Sequence, residues 1–248
     1  MKVLSFGSLN MDHVYRVPDF VRPGETLSTK SLDNICGGKG LNQSTAMARC
    51  GAAVYHAGNV GRGEDGGTLI RALSGSGVDT RFVRRLDAPV GHTVIQLSDS
   101  GENSILLYGG TNLMVDREQI KEVFSHFGPG DLLVSQNEIN LLPEIMEAAH
   151  DAKMTIAFNP SPISKEIFDL PLHLADIFFV NEIEAEALAK AGEGEDILTA
   201  LAKRYPGTMI VETLGKQGAL VCKDGKVYRQ PAFPVKAVDT TGAGDTFM

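Results

Sequence analysis

The chain reads as an α/β protein: a mostly parallel central sheet covered by helices, with a small β-layer projecting from it. Three observations lead there. From Ala52 onward, short apolar runs alternate with helical patterns, as strands do when helices link them in parallel. Two stretches, about 12–36 and 92–109, alternate loosely in period two and are broken by turn residues, so they read as strands of a separate layer. Glycine turns open helices at Gly37-Gly38-Lys39-Gly40 and at Gly242-Ala243-Gly244. The 248 residues suffice for one large core, and no repeat, linker or low-complexity tract divides them, so residues 1–248 are taken as a single domain.

Lys2–Phe6 is apolar enough for a buried first strand. Asn10 and Asp12 fall just past its end, where open parallel sheets bind ligands. Val14 to Ile35, interrupted by Pro18 and Pro23-Gly24, gives short strands joined by turns, and His92 to Tyr108 gives a hairpin around Asp99-Ser-Gly-Glu102. A helix runs from the Gly37 turn to about Cys50 and stops at Gly51. Val54–Gly58 is a strand, and Asp65–Leu73 a helix closed by Gly75 and Gly77. Asp116 and Gln119 have the spacing of a capping box ahead of a core stripe of Ile120, Val123, Phe124 and Phe127. Strands follow at Leu132–Ser135, Thr155–Phe158, Ile177–Val180 and Met209–Thr213, with helices from Leu142 to Ala152 and from Asn181 to Ala191. Asp224-Gly225 turns a hairpin between Ala219–Cys222 and Val227–Arg229. A last strand carrying Val235 and Val238 leads into the terminal glycine turn.

A net charge of −8 and the lack of any basic tract argue against nucleic acid or an anionic membrane as partner. Cys36, Cys50 and Cys222 have no metal-ligand spacing and leave an odd thiol, as in a reduced cytoplasmic protein. The first apolar run is too short for a signal peptide, and no stretch is long enough to span a bilayer. The six histidines show no metal spacing and read as surface or core residues.

The stretch from Asp239 to Met248 carries the most chemistry. Gly242, Ala243 and Gly244 let backbone amides turn toward one point at a helix N-terminus, a site for phosphate or another anion. Asp245 at its rim suits phosphoryl transfer: the carboxylate takes the proton of an attacking hydroxyl while the amides hold the charge on the phosphoryl oxygens. The same residues also read as a plain glycine turn with Asp245 as a helix cap. Met248 lies three residues past Asp245, and one helical turn does not hold itself together in water. The expectation is therefore a shortened form of a longer chain, inactive as it stands.

Other strand ends carry further candidates. The Gly37 turn offers close backbone approach, with Lys39 and Asn42 on the first helical turn, or is a loop with a solvated lysine. Asn181 and Glu184 have capping-box spacing, and could equally stand near a nucleotide phosphate and a hydrated Mg²⁺. The Thr213–Gly218 loop lies between strands and cannot be a P-loop, though its two glycines could cradle phosphates. Glu138, past another strand end, is either a solvated loop residue or a ligand for sugar hydroxyls.

Together these pieces resemble the ribokinase (PfkB) family of carbohydrate kinases along nearly the whole chain. Gly37 to Asn42 is similar to the family's N-terminal signature and Asp239 to Asp245 to its C-terminal one; the pair, in this order and at this separation, is highly specific. The resemblance implies a ribokinase-like three-layer sandwich, with 12–36 and 92–109 forming a small β-sheet lid that in ribokinases also builds a homodimer. It implies that Asn10, Asp12, Gly38, Lys39, Asn42 and Glu138 hold a sugar. Nucleotide-binding positions would be Asn181, Thr213, Gly215 and Gly218, with Glu184 completing an NxxE motif tied to Mg²⁺, through water, and phosphate. Asp239 and Thr241 match part of a K⁺ site, Gly242, Ala243 and Gly244 an anion hole, and Asp245 the catalytic base. The lid positions Thr93 and Leu107 do not fix the sugar. The expected cofactors are ATP, Mg²⁺ and K⁺. The expected activity is transfer of the γ-phosphoryl group to a sugar CH₂OH, with D-ribose giving D-ribose 5-phosphate. The alternatives are a fructokinase, a 2-keto-3-deoxygluconate kinase, or a non-catalytic sugar-binding protein on this scaffold.

Overall fold

A computed structural model of the chain describes residues 1–192, 195–236, 240 and 242–248. The first half holds β1 (Val3–Phe6), β2 (Asn10–Val17), β3 (Ser31–Gly37), α1 (Lys39–Arg49), β4 (Val54–Gly61), α2 (Glu64–Gly75), β5 (Asp79–Leu86), β6 (Gly91–Ser98), β7 (Asn103–Tyr108) and α3 (Arg117–Phe124). The second holds β8 (Leu132–Gln136), α4 (Leu142–Asp151), β9 (Thr155–Asn159), β10 (Ile177–Asn181), α5 (Glu182–Ala189), α6 (Ile197–Arg204), β11 (Met209–Thr213), β12 (Ala219–Lys223), β13 (Lys226–Gln230) and α7 (Ala243–Phe247).

Among the described residues, nine strands form the central sheet in the order β13-β12-β11-β10-β9-β8-β1-β4-β5, and four form the flap in the order β3-β2-β6-β7. From β11 to β5 all neighbours are parallel, and the β11–β12 and β12–β13 pairings are antiparallel. The alternation of side chains along each strand divides the core between two faces. Leu4, Phe6, Leu133, Ile156 and Phe158 point to the face covered by α3 to α6, where they meet Ile120, Ile145, Leu188 and Leu201. Val3, Val134 and Ala157 point to the other, where they join Leu41 of α1 with Leu69 and Leu73 of α2. This is the three-layer sandwich expected. Phe6, Phe158 and Phe178 are each fully buried, worth roughly 1.5–3 kcal/mol apiece.

Most boundaries fall within a few residues of the sequence reading, and the differences have local causes. β5 escapes the pattern because it is the edge strand and carries Asp79, Arg81, Arg84 and Arg85, charges that blunt an exposed edge. α6 was also missed; it starts at a plain cap, with the Asp196 side chain accepting from the Thr199 N–H at 2.9 Å. Asp116 does cap α3, yet the capping box is only half made: Gln119 Nε2 turns inward to the Gly58 carbonyl instead of back to the cap. No strand forms over 231–236, where Phe233 and Val235 are 80% and 82% exposed and two prolines lack the N–H a ladder needs. Val238 lies outside the described residues.

His56 is wholly buried on β4, with Nδ1 2.8 Å from Ser44 Oγ on α1. Burial pushes its pKa from 6.5 down to about 4. Between those values the unfolded chain binds the proton and the folded chain does not, so this contribution is full above pH 6.5 and drains away as pH falls toward 4. It amounts to on the order of 3 kcal/mol. Urea denaturation of the parent and of His56→Gln at pH 7 and pH 4.5 should show a flatter pH profile for the variant. Equal slopes would rule this contribution out.

Candidate active site

Lys39, Asn181, Glu184, Thr213, Gly244 and Asp245 line one cavity at the C-terminal ends of the parallel strands, and Asn42 and Glu138 are tied to it through Asp245 and Lys39. Ser8, just past β1, ties the site together: its hydroxyl donates to Glu138 Oε2, and its carbonyl accepts from the Leu41 N–H at 3.0 Å. Glu138 Oε2 also accepts from the Lys39 N–H at 3.1 Å, so a carboxylate sits on the first turn of α1. A Cβ on Gly40 would stand 2.5 Å from the Ser8 nitrogen, so only glycine lets the helix start here.

Asn10 and Asp12 occupy one face of β2, two residues apart. The Asp12 carboxylate lies over Gly37, where a Cβ would fall 1.9 Å from Oδ2. Its other oxygen accepts from the Thr93 hydroxyl at 2.6 Å. Burial pushes the Asp12 pKa up, opposed by that hydrogen bond. Burial likewise raises Glu138, against the pull of Ser8 and of the Lys39 charge and amide, while the nearby Asp245 charge adds to the rise.

Asp245 projects from the start of α7 and is held from α1. Asn42 Nδ2 donates to its Oδ2 at 2.9 Å, and Lys39 Nζ lies 3.9 Å from its Oδ1. Gly242 takes φ 68° at the N-cap, and the Ala243 N–H donates to the Thr240 carbonyl at 3.1 Å to close the turn. Beyond Asp245 opens a cavity of ≈ 130 Å³ that reaches Lys39, Gly244 and the strand ends Asn159, Asn181 and Thr213.

Glu184 also borders that cavity, and its capping box with Asn181 is complete: Oε2 accepts from the Asn181 N–H at 3.0 Å, and the Glu184 N–H donates to Asn181 Oδ1 at 2.9 Å. The helix cap and a place beside the cavity therefore coexist in this pair. Gly215 and Gly218 do not border the cavity; Gly218, at φ 101°, leaves room for the Gln230 carbonyl, which a Cβ would approach to 2.0 Å. Asp239 and Thr241 lie outside the described residues.

The whole chain, residues 1–248, matches the model of the pfkB family carbohydrate kinases. The chain belongs to that family. Its relatives include a ribokinase of Haemophilus influenzae, 36% identical over 97% of this chain and 81% of the relative. A deoxyribokinase of Salmonella typhi is 29% identical over 100% of this chain and 83% of the relative. Among solved structures, an Arabidopsis thaliana ribokinase complexed with ribose and ATP superposes with a TM-score of 0.85 at 28% identity, covering 99% of this chain and 83% of that one.

Within this pfkB kinase, sequence reasoning missed Ser8, Asn112 and Asn159 and gave Thr93 no role. Asn159-Pro160 at a strand end was the one signal available; the others are revealed by distance alone.

The raised Glu138 carboxyl has a stability consequence. The folded state binds its proton more tightly than the unfolded chain does, so its ionisation costs stability at neutral pH, and the cost shrinks as pH falls through the raised folded value toward the ordinary 4.5, below which it is gone. Glu138→Gln should therefore melt higher at pH 8, by roughly 3 °C for each kcal/mol released. The gain should shrink on acidification. Thermal scans at pH 8 and 4.5 check this; a variant destabilised equally at both would refute it.

Proposed function

We propose that this chain is an ATP-dependent kinase that transfers the γ-phosphoryl group to the CH₂OH of D-ribose. The observation that carries the reading is the position of Asp245, held by Asn42 and Lys39 at the edge of the cavity. A hydroxyl bound in the cleft would present its proton to Asp245 and its oxygen toward a phosphoryl group in the cavity. The family membership, the ribokinase relatives and the neighbour solved with ribose and ATP support the substrates.

Asn10, Asp12, Glu138 and the first turn of α1 would hold the sugar, with the flap as roof. Asp12 pairs across the flap with Ile35 and Thr93, and Thr93 with Leu107, so half-exposed apolar side chains stand on the face of that carboxylate. On the opposite face, Leu32, Leu106 and Tyr108 are also exposed, which supports a homodimer formed through the flap.

Asn181, Thr213 and the turn at Gly242–Gly244 would receive the nucleotide phosphates, α7 contributing the amides of Gly244 and Asp245, which lack intrahelical acceptors, while that of Ala243 is taken by Thr240. Both Glu184 oxygens already accept from Asn181, and no group of three or more His, Cys, Asp or Glu able to hold a metal occurs among the described residues. Glu184 would therefore meet Mg²⁺ through water, with phosphate oxygens as the main ligands, where the ion screens the transferring charge. Potassium binding by Asp239 and Thr241 is part of the same proposal. No helix among the described residues is long and apolar enough to cross a membrane. Together with three unpaired cysteines this supports a cytoplasmic location.

Replacing Asp245 by Asn should cut kcat by ~10²–10⁴ with sugar affinity nearly unchanged, because a proton acceptor acts in the transition state. Activity within threefold of the parent would sink this assignment. A panel of D-ribose, 2-deoxyribose, fructose and 2-keto-3-deoxygluconate with ATP, Mg²⁺ and K⁺ tests the sugar. D-ribose is expected to have the highest kcat/KM. The pointed competitor is 2-deoxyribose, since a deoxyribokinase is among the relatives and Thr93 already occupies one Asp12 oxygen. Any other sugar ahead by tenfold leaves the family and rejects ribose.

A further inference from the structure

We propose that Asn112 is a positioning residue that fixes which edge of the Asn10 amide faces the sugar; the proposal rests on the sugar-kinase reading above. Asn112 sits in a 3₁₀ turn, Gly110–Leu113, directly after β7, and is 2% exposed. Its Oδ1 accepts from the Leu9 N–H at 2.9 Å, a backbone donor that has no alternative polarity. The nitrogen end of the side chain must then face the other way. Nδ2 donates to Asn10 Oδ1 at 2.7 Å and to the Leu9 carbonyl at 3.3 Å.

An Asn side chain has one acceptor end and one donor end. With its Oδ1 end held against Asn112, Asn10 is left with its Nδ2 end facing away from that bond, and Nδ2 bonds to no described residue. Asn10 stands on the same strand face as Asp12, whose carboxylate only accepts while ionised. The strand thus presents a donor beside an acceptor, and a main-chain N–H sets that order through Asn112. Packing enforces the relay: a Cβ on Gly91 would lie 2.2 Å from Asn112 Nδ2 and 2.4 Å from Asn10 Oδ1. A pocket that reads hydroxyls with polar groups of fixed polarity discriminates strongly against a sugar lacking the matching oxygen.

The test is Asn112→Asp in the full chain. The introduced carboxylate can still accept from Leu9 but repels Asn10 Oδ1, so the Asn10 amide turns over and shows the sugar an oxygen. Calorimetric affinity and KM are measured for D-ribose and for its 2-deoxy and 3-deoxy analogues. The expected result is a tenfold or greater loss with D-ribose, carried by affinity and KM, with kcat and the KM for ATP within threefold. The loss should collapse on the analogue that lacks the hydroxyl served by Asn10 Nδ2. Asn10→Asp keeps the bond from Asn112 and presents an oxygen directly, so it should give the same sugar-selective pattern should Asn112→Asp fold poorly. A loss that is uniform across sugars, that falls on kcat, or that differs in pattern between the two variants overturns the inference while leaving the sugar-kinase reading standing. A parent chain that binds none of these sugars sinks the reading and the inference with it.

Discussion

The contact on which the site depends is the close approach of the α1 N-terminus to the loop after β1. Gly40 lies against the Ser8 backbone with no room for a Cβ, and the Ser8 hydroxyl and carbonyl bond to Glu138 and to Leu41. That approach brings the first turn of α1 to the strand ends. From there Lys39 and Asn42 reach Asp245, more than two hundred residues away in the sequence. The Gly37 to Asn42 turn and the terminal glycine turn meet because this helix is pinned at one end. Gly37 adds a second requirement of the same kind, since the Asp12 carboxylate fills the space its side chain would need.

The arrangement carries a conflict between stability and use. Asp12 and Glu138 are carboxylates whose burial raises their pKa, so holding them ionised at neutral pH costs stability that a bound polyhydroxyl ligand could return. Serine, threonine and backbone donors reduce that cost without abolishing it. His56 represents the opposite choice: a buried imidazole left neutral behind α1, bonded to Ser44 and removed from the chemistry.

How far the sequence could be read followed the range of the interactions involved. The Asn181–Glu184 capping box and the Asp99–Glu102 turn depend on residues within a few positions of one another, so local spacing announced them. β5 was hidden because an edge strand looks polar, and the strand expected at Val235 does not form over 231–236, where Pro231 and Pro234 lack the N–H a ladder needs. The completed capping box also shows that a helix cap and a place beside the cavity are compatible roles for the same two side chains.

By itself the sequence determined the α/β class, the two-part flap, and the candidate residues at the Gly37 and Gly242 turns, because periodicity, glycine and capping are properties of neighbours along the chain. The tertiary structure decided which of those residues meet. It put Asp245 between Asn42 and Lys39, gave Thr93 an oxygen of Asp12, set Ser8 under Glu138 and locked Asn10 through Asn112. Those pairings are separated by tens to hundreds of residues, and hydrogen bonds act only over about 3 Å. No local pattern encodes them; they exist only once packing of the layers has brought the strand ends and the first turn of α1 together.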